Sequence, residues 1–147
     1  MKKLIVASLI LLVIVGVIGY SSIQAQSSHI TIGSVQLVVE IAKTPADQQK
    51  GLSGRSSLAS DHGMLFVFDH EDYWGFWMID MKFPLDIIWF NSNRQVVFIK
   101  QNLSPCTPQS CPVFTPNVKA MYVLEVNAGF VAAHQITFGT PFTFLGT

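Results

Sequence analysis

Residues 76–90 read FWMIDMKFPLDIIWF. The stretch is strongly apolar and aromatic, yet it carries Asp80, Lys82 and Asp86, where a plain core segment would hold no charge. An unpaired charge taken out of water is costly, so charges inside such a run reach water at a rim or have specific partners. Pro84 fixes its own backbone and pushes Phe83 towards an extended conformation. The stretch therefore predicts two short strands meeting at a kink. In a strand, the first piece puts Met78, Asp80 and Lys82 on one face and Trp77, Ile79, Met81 and Phe83 on the other. The result is a polar notch on an apolar slab.

Working outward from it, short strands dominate. HITIGSVQLVVEIA (29–42) predicts a hairpin, with alternating apolar residues on either side of a Gly33-Ser34 turn. TPADQQKG (44–51) carries Thr44 as an N-cap, Pro45 at the first helical position and Gly51 as a stop, the marks of one short surface helix. GMLFVF (63–68) predicts a central strand, followed by an acidic loop, DHEDY. NSNR (91–94) turns the chain into a strand over Val96–Ile99, KAMYVLEV (119–126) predicts a further strand, and NAGFVAAHQ a turn or single helical turn. ITFGTPFTF (136–144) predicts two short strands about Gly139 and Pro141. Many short strands at this spacing point to a mainly β domain, an antiparallel sandwich or barrel with one or two short helices.

The domain is preceded by LIVASLILLVIVGVIGY (4–20), with Lys2 and Lys3 before it. At about 1.5 Å per residue a helix of that length spans roughly 26 Å, close to the hydrocarbon thickness of a bilayer. Residues 1–25 are thus expected to be an N-terminal hydrophobic helix serving as a membrane anchor, with residues 26–147 as a single extracytoplasmic domain. A cleaved signal peptide is the alternative; SSIQAQ ends its small-residue stretch at Ala25 but has bulky Ile23 two positions earlier. Without Lys2 and Lys3 the domain keeps seven of nine basic residues against nine acidic ones, a formal charge of −2. Those seven are scattered, which argues against electrostatic nucleic-acid binding.

Cys106 and Cys111, in PCTPQSCP (105–112), are the chain's two cysteines. An even pair on an exported chain predicts a disulfide; a zinc site would need further ligands nearby, and a redox pair would be C-x-x-C. Asp61-His62 with Asp69-His70-Glu71-Asp72 lacks the spacing of a known metal loop, so no metal or cofactor is expected. Glu125, between Leu124 and Val126 in a strand, is expected to face solvent or pair with a base. Asn102-Leu103-Ser104 matches a glycosylation acceptor.

GLSGR (51–55), GMLFVF (63–68), FWM (76–78), PLDIIWF (84–90) and YVLEVNAG (122–129), in that order, resemble the domain of unknown function 192, a family of small, often exported proteins. The resemblance covers nearly all of residues 35–144. It implies a mainly β sandwich of jelly-roll type with small helical additions, and little about activity. One departure stands out: where the family reads Trp-Met-Lys-Asn-Thr, this chain has Trp77, Met78, Ile79, Asp80 and Met81. A carboxylate replaces an amide at 80 and can accept but not donate.

The candidate ligand-binding site is Arg55, Trp77, Asp80, Lys82 and Asp86. A guanidinium fork suits an anionic group, and aromatic rings beside carboxylates hold sugar rings or organic cations. The competing arrangement is Arg55 bridging Asp80 or Asp86 internally. A small ligand, an envelope glycan or a partner protein would fit the site. The rival classes are an envelope hydrolase using Asp80 and Asp86 as a carboxylate pair, and a structural accessory domain with Arg55 fully paired and no cleft beside Trp77.

Overall fold

The computed structural model of the chain describes residues 27–145; segment 4–20 and the two lysines before it lie outside them. Among the described residues no helix is long and apolar enough to cross a membrane. The elements in chain order are β1 (Ser27–Ile32), β2 (Val35–Ala42), α1 (Pro45–Lys50), β3 (His62–Asp72), β4 (Leu85–Phe90), β5 (Val96–Leu103), β6 (Ala120–Asn127), α2 (Phe130–Ala133) and β7 (Phe142–Leu145).

The seven strands form one mixed sheet, ordered β5-β4-β6-β3-β2-β1-β7. Its pairs are antiparallel except β2 with β3, where Val38 to Ala42 run alongside His62 to Phe66. That departs from the wholly antiparallel sandwich expected. The cause is the connection: α1 and the loop after it carry the chain back to the starting end of β2, and a return of that length permits a parallel partner. The sheet also curls. Gln95, just before β5, bridges Pro141, just before β7, and Phe142 N–H donates to Arg94 O at 3.0 Å. The two edge strands therefore meet at one end, leaving an inner and an outer face.

Both faces are buried, and this is why β4, apart from Asp86, is apolar at every position. Ile88 and Phe90 join the inner core with Ile30, Leu65, Leu124 and Phe142, whereas Leu85, Ile87 and Trp89 join an outer core with Phe66, Phe76, Met78 and Val123. Helix α2 contributes Phe130 and Val131 to the inner core. The outer core is covered by loops, among them the Cys106–Cys111 loop, which a disulfide closes with its Cα atoms 5.1 Å apart.

Three local expectations change. Residues 76–83 are not a regular strand: they make isolated bridges, Phe76 with Phe114 and Ile79 with Cys106. Asp80 takes a left-handed φ of 58°, which stops an extended run. The expected alternation fails with it, since Met78 and Met81 are both buried and Trp77 is exposed. The acidic residues 69–72 continue β3 rather than forming a loop. Of the two strands expected over 136–144, only β7 forms; Ile136 instead folds back on α2, its N–H donating to Val131 O at 3.0 Å.

Candidate functional site

The site begins at the end of α1. Thr44 Oγ1 accepts from the Asp47 amide at 3.2 Å, as its sequence position predicts, and Gly51 ends the helix at φ 51°. Gln48 Nε2 donates to Val67 O at 2.9 Å, which fastens the helix to β3. The chain then turns through Leu52, buried in the outer core, and two hydrogen bonds strap this turn to the 76–83 loop. Gly54 N–H donates to Asp80 O at 3.0 Å, and Ser53 Oγ donates to Ile79 O at 3.0 Å.

Between the strapped turn and the sheet lies a pocket of about 270 Å³. Aromatic rings form much of its wall: Phe66 and Phe68 from β3, and Trp74, Phe76 and Trp77 from the following loop. They brace one another. Phe68 stacks on Trp74 with ring centroids 4.0 Å apart, and Phe76 meets Phe66 edge-on at 4.8 Å. Trp89 Nε1 donates to Trp74 O at 2.9 Å, holding the loop from below.

Glu125 also lines the pocket, and it is only 4 % exposed. Its Oε2 has no hydrogen-bond partner among the described residues. Burial pushes its carboxyl up to about 8, against the opposing pull of the Arg55 charge and the Leu52 amide. The expected pairing or solvent exposure of Glu125 is thus corrected: with both sheet faces buried, either orientation of a β6 side chain points into the molecule.

Arg55 does find a carboxylate, but a different one. Both terminal nitrogens face Glu40 in a bidentate pair, with Nη2 and Oε2 at 2.7 Å. This pairing holds the Glu40 carboxyl below its ordinary range, the hydrogen bond to Arg55 outweighing partial burial. Asp86 is fully buried on the inner side of β4, where its two oxygens accept from the Asn102 amide at 2.8 Å and the Val131 amide at 2.9 Å. Asp80 and Lys82 are exposed. Of the five residues singled out in the sequence, only Trp77 lines the pocket, at its rim and 40 % exposed. No group of three or more His, Cys, Asp or Glu side chains among the described residues is placed to hold a metal ion.

The DUF192 profile, described as an uncharacterised conserved region, matches residues 28–144. The chain belongs to the DUF192 family. No curated protein matches it. Two solved structures share the DUF192 chain's fold. One, from Sinorhizobium meliloti 1021 and provisionally described as a transcription regulator, is 26% identical with a TM-score of 0.78, over 86% of this chain and 100% of the other. The second, a protein of unknown function from Novosphingobium aromaticivorans DSM 12444, is 29% identical with a TM-score of 0.76, over 84% and 89%. Four of the five stretches that carried the resemblance to DUF192 meet at the pocket: Gly51 to Ser53, Phe66 with Phe68, Phe76 with Trp77, and Glu125. The fifth, 84–90, supplies Asp86, which ties β4 to β5 and α2. The left-handed backbone at position 80 is one that asparagine and aspartate both tolerate, so an amide is not required there for the turn.

Proposed function

We propose that this DUF192 protein is a membrane-anchored, extracytoplasmic binding domain that takes a small ligand in the aromatic pocket over Glu125. The observation that carries the reading is the convergence of separate stretches of sequence on one apolar pocket lined by a buried carboxyl, Glu125, one of whose oxygens, Oε2, has no hydrogen-bond partner among the described residues. Ligand sites are typically concave, mostly apolar and furnished with a few oriented polar groups. The anchoring rests on residues 4–20 with Lys2 and Lys3 before them; cleavage after that segment would leave the same domain exported.

The carboxylate-pair hydrolase is less well supported, because both oxygens of Asp86 are already taken by backbone amides and Asp80 does not line the pocket. Regulation of transcription by direct nucleic-acid contact is less well supported, because the seven basic residues within 26–147 are scattered along the sequence and the formal charge is −2.

The test is a thermal melt of the full chain in detergent against a panel of small neutral, cationic and anionic compounds. A compound present at about 100 times its dissociation constant adds roughly 2.7 kcal/mol, enough to move the transition. The expected result is a shift that Trp77→Ala and Phe68→Ala both diminish. A panel without effect, or a shift untouched by both variants, would reject the pocket as the binding site.

A further inference from the structure

The polar floor of the pocket narrows the class of ligand. Glu125 stands on β6 in register with Met64 of β3 and Ile87 of β4, and Met64 is in turn in register with Glu40 of β2. Of the groups around Glu125, Arg55 is committed to Glu40 through both terminal nitrogens, Lys50 lines the pocket from the end of α1 but is exposed to solvent, and the Leu52 amide acts on the carboxyl from the turn after α1. No side chain supplies a donor to Glu125 Oε2. Gly51 keeps the space beside that oxygen clear: a Cβ there would stand 3.6 Å from Oε2 and 3.4 Å from the Phe66 ring.

A carboxyl sunk in an apolar cavity stays neutral while the cavity is empty, and a positive donor beside it is what stabilises the ionised form there. The surrounding rings present π faces, which attract cations and stack on apolar bodies. An anionic head would hold the carboxyl in its neutral form and gain no opposite charge from it, and a neutral hydroxyl would supply a hydrogen bond without charge.

We infer that the pocket selects small primary amines, bound as ammonium ions on an aromatic or branched apolar body, with Glu125 receiving the ammonium head. This rests on the ligand-binding reading above and adds to it the chemical class. The exchange is balanced: the neutral carboxyl gives its proton to solvent, and the ammonium ion takes that proton's place as the carboxylate's partner. Burial keeps the free carboxyl protonated at neutral pH, so binding must release a proton.

Benzylammonium and its neutral counterpart benzyl alcohol are titrated into the full chain in detergent, with tryptophan fluorescence and calorimetry as readouts. Benzylammonium is expected to bind more tightly than the alcohol, its affinity rising about tenfold per pH unit from roughly pH 6 and levelling near pH 8. Calorimetric heats should vary with the ionisation enthalpy of the buffer, the sign of a released proton. Glu125→Gln should weaken benzylammonium at least tenfold at pH 8 and abolish the pH dependence of its binding. If the alcohol binds as well as the amine and neither depends on pH, the amine assignment is wrong and the pocket stands. If neither probe nor any compound of the wider panel binds, both fail. The pH profile of the wild-type chain decides the matter by itself should Glu125→Gln not fold.

Discussion

Asp86 and Glu125 are carboxylates buried on adjacent strands and on opposite faces of one sheet, and their surroundings give them different work. Asp86 is satisfied by two backbone amides, so Asp86→Ala leaves two buried donors without a partner and should cost about 2–5 kcal/mol in denaturant unfolding. Glu125 has the opposite character. Its folded pKa of about 8 lies above the ordinary 4.5, so between those values the unfolded chain sheds a proton that the folded chain retains. Stability conferred by the neutral carboxyl is therefore intact at low pH and lost as pH rises through that window. The unfolding free energy should fall between roughly pH 5 and 8, by on the order of a few kcal/mol, and Glu125→Gln should flatten that part of the profile. The sequence picked out Asp86 because a charge inside PLDIIWF is conspicuous. It did not pick out Glu125, because reading Leu124, Glu125 and Val126 as inward, outward, inward presumes that one face of the sheet meets water. Here neither face does at β6, and alternation distinguishes the faces without saying which is wet.

At the level of elements, the cap and stop signals of α1 were legible, because Thr44, Pro45 and Gly51 act locally, Thr44 through its hydroxyl on the Asp47 amide and Pro45 and Gly51 through their own backbone. The 76–83 segment was not. Its apolar pattern suits a strand, whereas a left-handed residue at 80 depends on where the chain must go next. Asp80→Asn should be tolerated, and Asp80→Val should lose about 1–2 kcal/mol, since a β-branched side chain is strained at a φ of 58°. The Arg55–Glu40 pair attaches the same turn to β2, and here the sequence named the right base with the wrong acid. The two residues lie 15 apart in the chain, and only the parallel β2–β3 crossover brings them together. A double-mutant cycle with Arg55→Ala and Glu40→Ala should give a coupling of at most about 1 kcal/mol for so partly exposed a pair. Loss of Arg55 alone should raise the Glu125 pKa further, because its charge favours the carboxylate, and titration of Glu125 by NMR would read this directly.

For the molecule as a whole, the number and order of strand-forming stretches could be read approximately, but the pairing could not. Strand order depends on contacts between distant residues, such as His29 with Leu145 and Gly63 with Val126, for which local pattern carries no instruction. Curling of the sheet explains why Phe142 matters beyond its short strand. It lies fully in the inner core, with ring centroids 4.9 Å from Phe90 and 5.3 Å from Tyr122. Phe142→Ala should destabilise the fold by about 3–5 kcal/mol, measured by denaturant unfolding.

The pairing of β1 with β7 also sets an order of events during synthesis. β1 leaves the ribosome well before β7, so a β1–β2 hairpin formed during synthesis has an open edge until Leu145 has been made. Throughout that interval nascent neighbours on the same message could add a strand to it, as exposed edges invite. In the folded domain the last described strand is what closes that edge.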